Sequence, residues 1–318
     1  MVRRIIFMGT TEFAAYILEE MIKKKFSIVA VFSQPDRHKG RNKKLISTPT
    51  KRVALENDIN VYGFDNVNEH FDLFKELNPD LIITCAFGQK IGISILNLPN
   101  FGCINIHASI LPKYRGGAPI HYAIMNGEQY TGNTIMYMAE TLDSGDVLSQ
   151  SAIKIEDDDT TSSLSKKLSI DAAQLLFSTL PLLFNRDLRP TKQDDNKVSY
   201  APNIKRELEL INFNRDINVV YNHIRGLLYI PGCYFILNNK KIKLFKVEMI
   251  KESHNYESSY VLCDNNDYFK IYCKNGYIKV FDFQVEGRKI IEYKNYVNQN
   301  KKDIVNGVII NEGVSYGY

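Results

Sequence analysis

Asn105 and His107 close the apolar run Phe101-Gly102-Cys103-Ile104-Asn105-Ile106-His107. In an extended strand, successive side chains point to opposite faces. Cys103, Asn105 and His107 therefore share one face and Ile104 and Ile106 the other. An imidazole can give or take a proton near neutral pH, and an amide N–H can stabilise a developing oxyanion. The same pair could equally close a strand end structurally, and spacing alone leaves both readings open. A second polar cluster, Leu142-Asp143-Ser144-Gly145-Asp146, offers a carboxylate able to orient or charge an imidazole. By itself it also reads as a plain Asp-Gly turn. Gly9-Thr10-Thr11-Glu12-Phe13 lacks the later glycines of a dinucleotide-binding fingerprint, so Gly9 is read as a turn glycine and Thr10 or Thr11 as a helix cap. His121 and His223 stand in helical surroundings without partner motifs and are read as structural. Cys85, Cys103, Cys233, Cys263 and Cys273 are odd in number and form no C-x-x-C, so a reducing compartment is expected rather than a disulfide framework or a zinc site.

Elements must hold these groups in place. The first half alternates short apolar runs with helix-like segments, the pattern of a mostly parallel sheet flanked by helices. Strands are expected at Arg4–Met8, Ser27–Phe32, Asp80–Ala86, Gly102–His107, Asn133–Glu140 and Val147–Ile155. Helices are expected to begin near Thr11, Thr48, Val67, Gln89 and Ala118, and another covers Thr161–Phe184, kinked or broken near Pro181. In such sheets ligands bind beyond the C-terminal strand ends, which is where Asn105 and His107 fall. Residues 189–205 read as a linker. After a helix at Ile217–Leu227, five short β-rich runs between Cys233 and Gln284, two of them joined at Asn238-Asn239 and others at Asn275-Gly276, suggest a small OB-like β-barrel. The expected division is 1–188, 189–205 and 206–318.

With 318 residues, 44% hydrophobic and 24% charged, the chain is neither disordered nor collagen-like, and two domains are the default. Its apolar runs are strand-sized, and Met1–Met8 is too short for a secretory leader, so no signal or membrane segment is expected. Net charge is modest, +1 over residues 1–205 and +3 over 206–318. One stretch departs from that balance: Arg37, Lys39, Arg41, Lys43, Lys44, Lys51 and Arg52 lie within sixteen residues containing no acid.

The block Asn105-Ile106-His107-Ala108-Ser109-Ile110-Leu111-Pro112-Lys113-Tyr114-Arg115-Gly116 resembles the signature of the folate-dependent formyltransferases. Collinear support comes from Ile5–Ala14, Val31–Arg37 running on to Gly40–Leu45, Asn133–Met138 and Leu142–Asp146. The resemblance is strong over residues 3–205 and diffuse beyond. It implies that Asn105, His107 and Asp143 form a catalytic trio. It implies 10-formyltetrahydrofolate as co-substrate, without a metal, with Ser109, Ile110, Leu111 and Pro112 beside the folate. Phe87, Gly88, Gln89, Thr141 and Leu142 would approach the pteridine ring. Within the family the match is nearest to members whose acceptor is the α-amine of methionine on initiator tRNA. Arg41 then matches a functional arginine of a tRNA-reaching loop that would include Arg37, Lys43 and Lys44, with a solvated charged loop as the alternative. Lys240, Lys241, Lys243 and Lys246 would add backbone contacts from the C-terminal domain. A cytoplasmic monomer is expected.

Departures are few. Thr11 stands where the family often has proline. The chain has no tryptophan, although members usually carry an aromatic-proline segment near Leu227–Gly232, where Tyr229 and Pro231 stand. A formyltransferase acting on a sugar-nucleotide amine is the competing reading. A glycinamide ribonucleotide transformylase would lack the second domain, a non-catalytic tRNA- or folate-binding module would not need the trio, and an oxidoreductase would need the missing glycines.

Overall fold

A computed structural model describes residues 3–39, 44–299 and 303–309. The chain divides into two compact units. One runs as far as Pro119 and adds Tyr130–Lys154 and Leu164–Pro202. The other holds Ile120–Gln129, Ile155–Ser163 and the chain from Asn203 onward. Most of the segment read as a linker thus belongs to the first unit.

In the first unit the strands are β1 (Ile5–Gly9), β2 (Ile28–Ser33), β3 (Arg37–Lys39), β4 (Lys44–Ile46), β5 (Val61–Gly63), β6 (Leu81–Cys85), β7 (Cys103–His107), β8 (Tyr130–Thr131), β9 (Thr134–Tyr137), β10 (Val147–Gln150) and β11 (Ile153–Lys154). Seven of them form one sheet in the order β10-β9-β7-β6-β1-β2-β5. The five from β7 to β5 are parallel, and β9 and β10 run antiparallel at one edge. Because β1 is buried on both faces, its residues divide by alternation. Ile5 and Phe7 join the core under α1 (Glu12–Lys23), while Ile6 and Met8 join the core under α3 (Phe71–Leu77). The Thr11 side chain caps α1, and Thr48 caps α2 (Pro49–Glu56), whose first residue is a proline needing no N–H partner.

Several sequence expectations change here. No helix begins at Gln89, because its amide is bonded at both ends to the preceding turn, Nε2 to Phe64 O and Oε1 from Val67 N. The short helix α4 (Ile93–Leu96) starts only after Gly92. The expected strand Val147–Ile155 is two strands, β10 pairing with β9 and β11 with β8, interrupted where the Ser151 hydroxyl donates to Asp171. After α5 (Pro119–Met125), the long helix α6 (Thr161–Asn185) runs through Pro181 unbroken. The proline is exposed and stands four residues from the C-terminal end of the helix. By length and composition α6 would suit a bilayer, yet Ala172, Ala173, Leu176 and Leu180 are packed in the sheet core. The basic stretch contributes β3 and β4, a two-stranded hairpin that the sequence reading missed.

The second unit contains α7 (Ile217–Leu227) and an antiparallel sheet of β12 (Tyr234–Leu237), β13 (Lys240–Lys251), β14 (Tyr260–Leu262), β15 (Phe269–Cys273), β16 (Gly276–Val285), β17 (Ile291–Glu292) and, after α8 (Tyr293–Val297), β18 (Gly307–Val308). The order β12-β13-β16-β15-β14-β18, with β17 on β16, curls into a half-barrel. Register shifts between Leu244 and Val247 bend the long strand β13, as bulges do. Phe213, Phe235, Phe269 and Phe283 fill the core against Ile217, Val220 and Ile224 of α7.

Candidate active site

β7 ends beside β6 on one side and β9 on the other. Ile104 and Ile106 point into the core shared with α1 and α6, and Cys103 points to the opposite core. The alternation therefore brings Asn105 and His107 to the Cys103 side. Thr84 of β6 lies opposite Asn105 in register and donates its hydroxyl to Asn105 Oδ1 at 2.7 Å. With the acceptor-only Asp143 carboxylate on the other side, the amide oxygen faces Thr84 and the NH2 faces away from it. Nδ2 is turned toward Asp143 Oδ1, 3.5 Å distant.

His107 is 6% exposed. Its Nε2 lies 2.9 Å from Tyr114 O, which can only accept, so Nε2 carries a hydrogen. Nδ1 is then the nitrogen turned toward Asp143 Oδ2, at 3.6 Å. Asp143 is 9% exposed and adopts a left-handed backbone, φ 52°. Its Oδ2 also accepts from the Gly116 backbone N–H at 2.8 Å. Gly116 is required there. Its φ is 127°, and a β-carbon would come within 2.5 Å of Ala201 O. An amide, an imidazole and a carboxylate thus converge without closing on one another, since 3.5 and 3.6 Å exceed good hydrogen-bond lengths. Such an arrangement can grip a substrate oxygen that becomes negative and can receive a proton beside it.

The loop after β7 is braced from below. Ser109 is buried, with its hydroxyl on Lys113 O. Thr134 of β9 donates to Ser109 O and accepts from Leu111 N, and Gln150 donates to Leu111 O. Leu111 is buried, while Ile110 and Pro112 are half-buried. Beyond β6, Phe87 is buried and its carbonyl accepts from Thr10 Oγ1 and Gln34 Nε2, with Gly88 at φ 87°. Gln89 spends its amide on the 64–67 turn. Thr141 is exposed and Leu142 is 70% exposed, immediately before Asp143. Among the cysteines nearby, burial raises the Cys85 thiol far above its ordinary range and Cys103 to about 12, so neither is poised as a thiolate nucleophile.

Of the basic stretch, Arg37 is exposed at the start of β3. Arg41 and Lys43 lie outside the described residues, and Lys44 is described only in its backbone, at the start of β4. Lys51 is paired with Asp36 at 2.7 Å and Arg52 with Glu12 at 3.0 Å, so the last two cations of the run have acidic partners. In the second unit Ile242 and Leu244 are buried and Lys241 and Lys243 face outward. Lys241 lies over the Tyr234 ring, Lys246 over Phe281, and Lys240 is paired with Asp303. His121 and His223 are bonded to the carbonyls of Ile230 and Leu208. Sequence reasoning missed Thr84, a single hydroxyl in an apolar run, and Gln193, whose contacts join distant segments.

The formyl transferase family profile matches residues 3–180, and the formyl transferase C-terminal domain matches residues 203–301. A methionyl-tRNA formyltransferase of Malacoplasma penetrans is 42% identical over 300 residues, 94% of each chain. One from Bacillus thuringiensis is 41% identical over 304 residues, 95% of this chain and 97% of the other. Among solved structures, the sugar 3N-formyl transferase WlaRD, determined with dTDP and 5-N-formyl-THF, superposes with a TM-score of 0.66 at 22% identity, covering 91% of this chain and all of that one. A Helicobacter canadensis N-formyltransferase complexed with folinic acid and dTDP-3-aminofucose gives 0.67 at 22% identity, over 88% and 99% of the two chains. At that identity both speak to the fold alone.

Proposed function

The chain belongs to the formyl transferase family, and on that premise we propose that it moves a formyl group from 10-formyltetrahydrofolate to the α-amine of methionine carried by initiator tRNA. The carrying observation is the open triangle of Asn105 Nδ2, His107 Nδ1 and the Asp143 carboxylate. A folate co-substrate suits the surroundings: buried Phe87 follows β6, buried Leu111 follows β7, and Thr134 of β9 holds the main chain at Ser109 and Leu111. These residues would hold it, and it supplies the formyl carbon.

The neutral amine attacks that carbon directly, forming the new N–C bond. Asn105 Nδ2 and the Nδ1–H of charged His107 hold the carbonyl oxygen as it takes on negative charge. One such donor is worth roughly 3–4 kcal/mol of transition-state stabilisation. Asp143 orients the imidazole and, directly or through a water, takes the proton the amine loses. When the bond to the departing folate nitrogen breaks, that nitrogen takes up the proton held by Asp143, directly or through the same water. Alignment of donor and acceptor supplies much of the remaining acceleration.

The tRNA acceptor is supported by relatives of about 41–42% identity over nearly the whole chain and by the cationic stretch from Arg37. Cations suit phosphates and unpaired ends. A cytoplasmic monomer, with Arg37, Arg41, Lys43 and Lys44 on the tRNA side, belongs to the same proposal. The test offers purified protein and formyl-folate a panel of acceptors. Rapid formylation of methionyl initiator tRNA and slow formylation of amino-sugar nucleotides is expected, and the reverse order overturns the reading. His107→Ala should lose formyl transfer by 100-fold or more while still binding initiator tRNA.

A further inference from the structure

The segment 191–201 is strapped across the loop that follows β7 and the turn that carries Asp143. Thr191 and Val147 exchange backbone hydrogen bonds at 2.8 and 2.9 Å. Arg115 N donates to Ser199 O and Ala201 N to Arg115 O, both at 2.8 Å, while Tyr114 N donates to Ser199 Oγ. Between these anchor points stands Gln193. Its Nε2 donates to Asp143 O and to Gly145 O, each at 2.8 Å. Its Oε1 accepts from Arg115 Nε at 3.1 Å and Nη2 at 2.9 Å. Both donors and both acceptor sites of the amide are thereby used, and Arg115 itself is only 6% exposed.

This geometry bears on Asp143 specifically. At φ 52° Asp143 occupies the left-handed region, which aspartate tolerates better than most residues but which hydrogen bonds from its neighbours help to hold. Gln193 clamps the carbonyls of Asp143 and Gly145 from one side. Gly116 N–H meets the carboxylate from the other. Gly145 admits no side chain, because a β-carbon there would overlap Tyr137 O.

We propose that Gln193 is a positioning residue that fixes the 143–145 turn and so aims the Asp143 carboxylate at Asn105 and His107. The inference rests on the reading of that trio as catalytic. It makes residues 191–201, which the sequence shows only as a polar connector, part of the machinery that sets catalytic geometry. Gln193 acts through Asp143 and through no substrate contact of its own.

The experiment is a double-mutant cycle on the full chain, with methionyl initiator tRNA and formyl-folate. Gln193→Met keeps length and removes all four bonds. Gln193→Glu still accepts from Arg115 but sets a carboxylate against two carbonyls, and it serves if the methionine variant fails to fold. Each should lose kcat by roughly 10- to 100-fold, as misplaced catalytic groups do, with both KM values within twofold and a folded circular-dichroism spectrum. Adding Gln193→Met to Asp143→Asn should then cost nothing further. A folded Gln193 variant with kcat within threefold of the parent overturns the inference. So does a loss that appears in KM, or one that multiplies with Asp143→Asn. If Asp143→Asn alone turns over at the parent rate, it is the trio reading that fails.

Discussion

Thr84 has one hydroxyl proton, and the shortest of its contacts gives it to Asn105 at 2.7 Å rather than to Ile104 O at 3.2 Å. The hydroxyl therefore helps to hold Oδ1 on the Thr84 side and Nδ2 on the Asp143 side. Without it Oδ1 is a buried acceptor with a lost partner, at a cost of about 1–3 kcal/mol, and the amide can turn its oxygen toward a developing oxyanion. Thr84→Val, nearly the same shape, is expected to lower the urea midpoint and to reduce kcat about tenfold, on the order of one hydrogen bond, with the KM for tRNA unchanged. Thr84→Ser should restore both. A valine variant with parental kcat would mean that the amide needs no anchor. Asn105, His107 and Asp143 were legible in the sequence because their types and spacing repeat a family signature. Thr84 was not, because a threonine among Leu81-Ile82-Ile83 has the β propensity of its neighbours and no local mark of the bond it makes across to β7.

At the scale of the element, legibility follows the range of the interaction. The helix Ile217–Leu227 agrees end for end with its sequence expectation, since its apolar positions recur at helical spacing and Asp216 caps it by accepting from Asn218 N. The parallel strands β1, β2, β6 and β7 read as apolar runs for the same local reason, whereas the three-residue β5 carries too short a run to be read. What escaped were elements defined by distant partners: the hairpin of β3 and β4, the split between β10 and β11, and a connector that is in fact bonded along the first unit. Helix α7 also carries a pH dependence. His223 is buried among the core residues of the second unit with Nε2 on Leu208 O, and burial lowers its pKa below the ordinary 6.5. His121 is lowered by burial as well. In both, the unfolded chain takes up a proton near pH 6.5 while the folded one still resists, so the unfolded state binds more protons and stability rises with pH in that window. Acidification from pH 7.5 to 5.5 should therefore cost stability, by at most about 1.4 kcal/mol per pH unit for each histidine. Urea unfolding at the two pH values checks this. His223→Gln, which can still donate to Leu208 O, should flatten the slope, and an unchanged slope would assign the acid lability elsewhere.

At the scale of the whole molecule the proposed chemistry and the proposed tRNA contacts rest on different kinds of interaction. The first unit holds the trio, with His107 and Asp143 buried and Asn105 half-buried, in a hydrogen-bonded setting. The residues 206–318 carry 16 Lys and Arg against 13 Asp and Glu, with Lys241 and Lys243 outward on the long strand, and contribute none of the trio. Cation–phosphate contacts release counterions, so their free energy depends steeply on ionic strength, whereas packing of a folate against buried walls does not. The KM for initiator tRNA is accordingly expected to climb with salt along a straight log–log line, while the KM for formyl-folate stays nearly level. Each cation that meets a phosphate should lower the tRNA slope by about one when removed. Lys241→Ala with Lys243→Ala tests the second unit and Arg37→Ala or Arg41→Ala the first, and all should leave kcat at saturating tRNA near the parental value. His107→Ala should do the opposite, removing kcat and leaving the salt slope intact. If the lysine pair changes neither KM nor slope, that face of the half-barrel does not touch the nucleic acid, and recognition of the acceptor falls to the basic stretch of the first unit.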